Sequence, residues 1–366
     1  MDTKDTNSEL SSPDVMLPNT GIVSLEPELA DITSDASGIP LPPEKEEQKS
    51  PTPLQDSLRR LRRDTRAMVS LGVILLFVVV ALIGPPIYLH IGGTYQSDLN
   101  GAIGPDQYHS YYHEELSRQD ELPSAQYWLG TDSLGRDMLA RLMQGMLISL
   151  VVAVLVEVLD IILGILVGVL AGFYGGWIDQ FLARFTDIMF AFPGLLFIIL
   201  LTGIFGGWAD DNLSRIPVIG ANGNARLLLV AFALAFTTWP FMARYVRGQA
   251  LQLKEQQFIE AARTSGTSNT RIILRHIVPN LFSIVVVVAT LDISSTIINE
   301  AGISLLGLGV QPPGSSIGLM ISSGIDYIDT HPWEVLVPCV VLVIIVLAFS
   351  FLGDGLRDAF DPRSKD

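Results

Sequence analysis

Apolar residues gather in six long runs, and polar residues separate the runs. A helix rises 1.5 Å per residue, so about 20 predominantly apolar residues cross the hydrocarbon core of a bilayer. The runs close to this length lie at residues 67–89, 146–173, 187–205, 226–241, 280–303 and 333–353. The pattern therefore predicts an all-α integral membrane protein with six transmembrane helices.

Three stretches outside the runs give further predictions. Residues 133–145 carry apolar side chains at helical spacing and predict a surface helix, capped by Asp132 or Ser133, that leads into the second span. Residues 90–127 are polar and contain Gly-Gly and Gly-Pro breakers, so we expect a loop with little regular structure. Residues 304–332 are rich in Gly and Pro and predict a folded-back segment at one mouth of the bundle. This segment would act either as a substrate gate or as a structural plug.

A polar hairpin at residues 245–280 follows the fourth run. Its first half places Phe258, Ile259 and Ala262 on one face of a short helix, with polar residues on the opposite face. Gly266 can adopt a positive φ, which would end this helix. The sequence therefore predicts a short amphipathic helix followed by a sharp turn.

The second half of the hairpin predicts another helix. Ser268 is placed to cap it, and Ile272, His276 and Ile277 lie together at helical spacing until Pro279 stops or restarts the helix. Such an element suits docking of an apolar stripe into a groove on a partner protein. It is equally typical of two interfacial helices that only connect spans. The pattern alone leaves both interpretations open.

Basic residues fall unequally on the two sides of the predicted bundle. With the first run leaving the cytoplasm, fifteen Lys and Arg residues lie on the cytoplasmic side and five lie outside. Five of the fifteen are arginines between residues 58 and 66, directly before the first run. Because basic residues favour short cytoplasmic segments, the count places both termini and the 245–280 hairpin in the cytoplasm.

Acidic residues are concentrated before the first run. The chain has 49% hydrophobic residues and yet a net charge of -15. Twelve Asp and Glu residues, against three lysines, lie in residues 1–57, where no helical or alternating period is present. Such a segment buries too little apolar area to offset the entropy of ordering. We therefore predict a disordered acidic N-terminal tail at 1–57 and a membrane domain at 58–366.

The sequence predicts no catalytic site, resident metal or cofactor. A Walker A loop requires a Gly-Lys dipeptide, which is absent. The single cysteine, Cys339, lies in an apolar run and is interpreted as a packing residue. His109, His113 and Glu114 form a conceivable metal site, but two imidazoles in a Tyr-rich loop are weak grounds for one. We therefore expect a protein that is not an enzyme.

Four acidic residues lie within the predicted spans. Charged side chains at membrane depth are costly and generally have a function. Glu157 and Asp160 are one turn apart in the second span, and Asp292 and Glu300 lie in the fifth. These residues would either line an aqueous path and favour cationic parts of a substrate or bond to polar groups of a partner subunit.

Four ordered motifs resemble those of one family. Glu260-Ala261-Ala262 with Gly266 and the ending at 272–280 resembles the EAA loop of ABC importer membrane subunits. The stretch at 128–137 resembles the GTDxLGRD segment that precedes the transport core, and those at 299–313 and 353–359 resemble the C-type permease subunit of oligopeptide and dipeptide importers. The similarity runs from about residue 71 to 362. It implies the type I ABC importer permease fold, with a transport core at about 142–354 and a coupling hairpin at 245–280.

The resemblance also implies function, partners and location. The chain would form half of a translocation path for peptides in a bacterial or archaeal cell membrane. It would pair with a B-type permease subunit, rest on two ATPase subunits and receive substrate from an extracytoplasmic binding protein, with no nucleic acid involved. Glu260 would anchor or cap the hairpin, Ala261 and Ala262 would permit close approach, and Gly266 would form the turn. Nickel chelates, glutathione or another small solute are alternative cargoes, and a secondary transporter is the alternative class.

Overall fold

The computed structural model describes residues 53–97, 101–215 and 224–360. Most of the predicted acidic tail, residues 1–52, lies outside the described residues. Residues 53–57 belong instead to a short helix, α1 (Pro53–Leu61), so the prediction that the tail extends to residue 57 is wrong at its boundary. The described residues all belong to one compact unit.

Helices dominate the described part of the chain. In chain order these are α1, α2 (Thr65–Tyr88), α3 (Pro105–Tyr108), α4 (Met138–Tyr174), α5 (Gly176–Ala191), α6 (Gly194–Leu213), α7 (Leu227–Lys254), α8 (Gln257–Thr264), α9 (Asn269–Ile272), α10 (Val278–Leu305), α11 (Ile317–Gly324) and α12 (Trp333–Phe360). Six helical stretches are long and apolar enough to cross a membrane: α2, α4, α6, α7, the continuous stretch 269–305 and α12. The prediction of six spans is confirmed.

The second span and the predicted surface helix form one continuous helix, α4. The cap predicted at Asp132 or Ser133 is wrong, because the Asp137 side chain accepts hydrogen bonds from Leu139 N at 2.8 Å and Ala140 N at 3.1 Å. Asp132 instead accepts from two backbone amides of the preceding turn and pairs with Arg136. Several polar residues in this stretch suit a cap, and spacing alone did not select among them.

The third span begins later than predicted. The sequence predicts a span at 187–205, but α5 ends at Ala191 and α6 starts at Gly194. Phe192 has an extended backbone with ψ 125°, and Pro193 follows it. Proline disfavours helical backbone in the residue before it, so the Phe192-Pro193 pair breaks the helix. The result is a separate amphipathic helix, α5, before the span.

Glycines let α4 and α7 approach closely. Gly164, Gly168 and Gly172 are spaced four residues apart on the face of α4 that meets α7. A Cβ at Gly164 would lie 2.3 Å from Met242 Cγ, and one at Gly168 would lie 2.6 Å from the Ala243 carbonyl oxygen. Small residues at this spacing allow close packing between membrane helices. This contact fixes α7, and hence the start of the hairpin, against α4.

A second contact joins α2, α10 and α12. Ile74, Ile297, Ile345 and Phe349 are buried in one apolar cluster there. Gly355 of α12 meets α2 so closely that a Cβ would lie 2.4 Å from Ala67 Cβ. The first helix is therefore packed into the bundle rather than attached loosely to its edge.

The segment at 89–137 is more ordered than predicted. Strands β1 (Tyr95–Ser97) and β2 (Gly101–Ile103) pair antiparallel, and α3 follows them. Ile103, Tyr108 and Tyr127 form a buried cluster within the segment. Aromatic rings supply a large apolar area, so a short polar segment can form a local core. The prediction of a loop with little regular structure is therefore wrong for these elements.

The segment at 304–332 folds back against the bundle. Helix α11 is buried through Ile317, and Gly318 meets α10 so closely that a Cβ would lie 2.1 Å from the Ala301 carbonyl oxygen. Ser315 Oγ donates a hydrogen bond to the Arg141 carbonyl oxygen at 2.9 Å. These contacts bury residues 314–320 in protein, as an irregular segment at membrane depth requires.

Candidate functional site

The hairpin turn is built around Gly266. Helix α8 ends at Thr264, and Gly266 has φ +75°. Gly266 N donates to the Arg263 carbonyl at 2.9 Å, and Thr267 N donates to the Ala262 carbonyl at 3.1 Å. These two bonds form a Schellman motif, which satisfies the last carbonyls of the helix and needs a left-handed residue. The predicted turn at Gly266 is confirmed by this geometry.

The second half of the hairpin contains a wide helical turn. Residues 273–277 form a π-helical turn between α9 and α10, and Pro279 lies in the first turn of α10. Proline has no N–H and its ring would clash with the carbonyl four residues earlier, which belongs to Arg275. A π-helical turn accommodates such a residue without ending the helix. Ser268 precedes α9 as predicted, but its side chain makes no capping hydrogen bond.

The apolar face of the hairpin is buried within this chain. Ile259, Ile272 and Ile277 are each 0% exposed and pack with Phe173 of α4 and Val246 of α7. The interpretation that this stripe docks into a groove on a partner is therefore wrong for these isoleucines. The stripe instead fixes the hairpin to the ends of α4 and α7.

The opposite face of the hairpin is exposed. Glu260 and Ala261 are exposed, Ala262 is half-buried, and Arg263 reaches back to place its guanidinium 5.3 Å from the centre of the Phe173 ring. The Ala261 carbonyl oxygen accepts a hydrogen bond from Ser265 Oγ at 2.8 Å. Three of the four predicted coupling residues, Glu260, Ala261 and Ala262, thus lie together on α8, and Gly266 follows in the turn.

Two ion pairs tie α5 to α7 at the start of the hairpin. Arg247 contacts the Asp179 carboxylate with Nε at 2.5 Å and Nη2 at 2.9 Å, and Arg244 Nη2 lies 2.8 Å from Asp187 Oδ1. Hydrogen bonding to the Arg247 guanidinium holds the pKa of Asp179 below its usual value. Neither pair could be predicted from the sequence, because their partners are more than fifty residues apart and only the packing of α5 brings them together.

Three of the four acidic residues in the spans lie near one another. Glu157 and Asp160 of α4 are buried, and Asp292 of α10 is partly exposed beside them. Both Glu157 carboxylate oxygens and Asp160 Oδ1 lack a hydrogen-bond partner within the described ranges. Burying a carboxyl group without a hydrogen-bond partner costs free energy. These residues are therefore expected either to have a function or to have different surroundings in another state of the protein.

Glu300 lies apart from that cluster in a hydrogen-bonded network. It is 2% exposed, and its carboxylate oxygens accept from Ser149 Oγ at 2.7 Å and from Ser304 Oγ at 2.8 Å. The first of these bonds joins α4 to α10. In this conformation the Glu300 carboxylate is enclosed by the chain and is not open to a passing solute.

An open cleft lies between α6, α7 and α10. Its volume is about 420 Å³, and its walls are mainly apolar, with polar groups from Thr237, Thr238 and Asn299. Thr238 is also within hydrogen-bonding reach of Asp160. Sequence analysis did not single out these three residues, because isolated Thr and Asn in apolar helices carry no spacing signal.

The structure assigns His109 a structural contact. His109 Nδ1 lies 2.6 Å from Asp137 Oδ2, and both residues are buried. Its ring packs against Tyr88 with centroids 3.8 Å apart. Among the described residues, His109, His113 and Glu114 do not bring their ligand atoms together as a metal site requires, so the conceivable metal site is wrong.

Comparisons with known proteins agree with this architecture. Residues 164–366 match the family described as binding-protein-dependent transport system inner membrane component, and residues 52–103 match the N-terminal TM domain of oligopeptide transport permease C. Together the matches cover most of the described helices and include the hairpin.

Curated relatives match nearly the whole chain. The dipeptide transport system permease protein DppC of Alkalihalophilus pseudofirmus is 33% identical over 88% of this chain and 94% of its own length. The oligopeptide transport system permease protein OppC of Escherichia coli is 38% identical over 85% of this chain and 91% of its own. The glutathione transport system permease protein GsiD of Salmonella typhimurium is 38% identical over 86% and 92%. The chain therefore belongs to the family of binding-protein-dependent transport system inner membrane components, and it has the importer permease fold that the motifs predict.

Proposed function

We propose that this chain is one of two membrane subunits of an ABC importer and that it forms half of a translocation path for peptides. The observation that carries the proposal is the hairpin, whose exposed Glu260 and Ala261 are held on a helix packed rigidly against α4 and α7. A displacement applied to such a helix is transmitted to the spans, because packed helices move as rigid bodies. The chain itself would have no ATP site, and separate ATPase subunits would supply the energy.

Each coupling residue is assigned its own role in the hairpin. Glu260 lies in the first turn of α8, where a carboxylate interacts favourably with the helix dipole and remains exposed for a polar contact. Ala261 is exposed and Ala262 packs partly against the buried cluster, and their small side chains would let an ATPase surface approach the backbone of α8 closely. Gly266 sets the angle at which α8 leaves the rest of the hairpin.

The open cleft is the surface that we assign to the translocation path. Thr237, Thr238 and Asn299 offer hydroxyl and amide groups within mainly apolar walls, which suits a peptide that presents both backbone amides and apolar side chains. Asp160 is within hydrogen-bonding reach of Thr238 at this surface, and the acidic residues would favour the cationic parts of a substrate. Replacement of Glu157 by Gln and of Asp160 by Asn tests that role, with a changed preference for basic peptides expected.

The assembly needs further subunits. A B-type permease subunit would close the cleft from the other side, two ATPase subunits would lie beneath the hairpins, and an extracytoplasmic binding protein would deliver the substrate. The excess of basic residues supports a cytoplasmic hairpin and cytoplasmic termini. The chain would thus work as a multi-pass protein of a bacterial or archaeal cell membrane.

Reconstitution of the whole complex tests the cargo. The complex and its binding protein are placed in liposomes, and ATP hydrolysis is measured with a tripeptide, glutathione or a nickel chelate as ligand. We expect peptides to stimulate hydrolysis and to enter the liposomes. Stimulation by the nickel chelate alone would contradict peptide import while leaving the importer assignment intact. Glutathione is itself a tripeptide derivative, and the 38% identical relative named for it makes it the second cargo to test.

The same liposomes discriminate the alternative class. A secondary transporter would move its substrate on an ion gradient without an ATPase. Uptake that continues after the ATPase sites are inactivated, and that follows an imposed proton gradient, would contradict the ABC assignment. Uptake that stops completely on inactivation supports it.

A further inference from the structure

Three metal-ligating side chains converge where the 89–137 segment meets the start of α12. One ligand atom from each of Asp120, His331 and Glu334 lies within 4.8 Å of the others. The distance from His331 Nδ1 to Asp120 Oδ2 is 3.9 Å. His331 and Glu334 belong to one turn, because Glu334 N donates to the His331 carbonyl oxygen at 3.2 Å. The set therefore joins two parts of the chain that are more than 200 residues apart.

The carboxylates of this cluster have unused acceptor atoms. Glu334 is 3% exposed, and its Oε1 has no hydrogen-bond partner among the described residues. Asp120 Oδ1 is likewise buried and unpartnered in the described part of the chain. A buried carboxylate oxygen without a partner costs free energy, so a ligand that supplies one is favoured.

The nearby arginines contact Asp132, although Arg141 Nη1 has no hydrogen-bond partner among the described residues. Asp132 Oδ2 lies 2.8 Å from Arg136 Nε and 3.4 Å from Arg141 Nε. Within the described ranges, no arginine or lysine forms a salt bridge with Asp120 or Glu334. Two carboxylates and an imidazole thus face one another, and Arg141 lines the same small pocket as Glu334 without forming a salt bridge with it.

We propose that Asp120, His331 and Glu334 bind a divalent transition-metal cation of the zinc class. One imidazole and two carboxylates are ligands that Zn²⁺ accepts, with a remaining position open to water. Mg²⁺ and Ca²⁺ prefer oxygen ligands throughout, so the imidazole selects against them. The bound ion joins the 89–137 segment to the N-terminal end of α12 and stabilises their contact.

Zinc content of the purified full-length protein tests the proposal. The protein is freed of its affinity tag, loaded with ZnCl₂ in detergent and passed into metal-free buffer before zinc is measured by mass spectrometry. We expect one zinc ion per chain. Asp120→Asn and His331→Gln should each weaken zinc binding by more than the roughly 10–100-fold that loss of an outer-shell partner costs. His90→Gln, which removes an exposed imidazole outside the cluster, should bind zinc as the wild type does.

Thermal unfolding gives a second readout. Zinc should raise the melting midpoint of the wild type and of His90→Gln but not of His331→Gln, and Mg²⁺ should not replace it. His331 has a side chain that is 27% exposed, so its replacement should leave the midpoint in EDTA close to that of the wild type. Absence of stoichiometric zinc from the wild type, or full zinc content in His331→Gln, overturns the proposal. If Asp120 and Glu334 share a proton and bind no metal, zinc leaves every melting midpoint unchanged. That result also overturns the proposal.

Discussion

Single residues determine how the hairpin is held, and Gly266 is the clearest example. Its φ of +75° is a conformation that costs an ordinary residue about 1–2 kcal/mol. No atom lies within 4 Å of a Cβ built there, so space does not limit the side chain. The need for glycine at this position is therefore conformational rather than steric.

Substitutions at Gly266 that tolerate a positive φ to different degrees test this requirement. Gly266→Asn should transport nearly as well as the wild type, because Asn tolerates the left-handed conformation. Gly266→Val should reach the membrane but lose at least about tenfold in uptake, since a strain of about 1–3 kcal/mol alters the exit of α8. The matched control is Gly248→Ala, at an exposed position in α7 with no atom within 4 Å of an added Cβ. Uptake by cells, normalised to membrane protein, measures the effect, and equal uptake by the Val and Asn variants would contradict the account.

Residue-scale prediction succeeded where one residue type decides the outcome. The positive φ at Gly266 was predicted because few residues other than glycine adopt it. The cap of α4 was missed because Asp132, Ser133 and Asp137 are all suitable caps, and tertiary contacts decided among them. Glu157 and Asp160 were correctly paired from their spacing, but the position of Asp292 beside them depends on how two helices pack.

At the scale of elements, α5 links the spans to the hairpin. Its two ion pairs with α7 lie close to the point where the chain enters α8. The pair between Arg247 and Asp179 is bidentate, a geometry that makes guanidinium and carboxylate contacts specific as well as strong. Movement of the hairpin should therefore be shared by α5.

A double-mutant cycle at this ion pair tests the link. Arg247→Met and Asp179→Asn should each lower thermal stability, and the double variant should lose less than the sum of the two losses. The pKa of Asp179 is lowered in the folded protein, so the contribution of its charge is present above the ordinary value of 3.8 and is lost as the pH falls below it. The difference in melting midpoint between wild type and Asp179→Asn should thus shrink below about pH 4. Additive losses would show that the pair does not couple the helices.

Prediction of elements was most reliable for the long apolar helices. Their length and composition determine that they span a bilayer, whatever they pack against. The separate helix α5 was missed, although the Phe192-Pro193 pair carried the signal for a break. The strands and α3 could not be predicted, because their stability comes from the aromatic cluster around Tyr108 and Tyr127, which forms only when distant parts of the segment meet.

At the scale of the molecule, α7 joins the cleft between the spans to the hairpin. The cleft is lined by Leu234 and Thr238 of α7, and the same helix continues to Lys254 at the start of the hairpin. A tilt of α7 would therefore move the cleft wall and the hairpin together. The central claim is that an ATPase subunit contacts the hairpin on its Glu260 and Ala261 face.

Site-directed crosslinking measures that contact most directly. Cys339 is the single cysteine, so Cys339→Ser gives a background in which Ala261→Cys is the only thiol of this chain. The matched control is Ala125→Cys, which is also exposed but lies in the 89–137 segment. In membranes that hold the assembled complex, a short bifunctional thiol reagent should join Ala261→Cys to an ATPase subunit carrying an exposed cysteine and should leave Ala125→Cys unlinked. Failure at Ala261 in an ATP-hydrolysing complex, or equal crosslinking from Ala125, would contradict the claim that this hairpin couples the ATPase to transport.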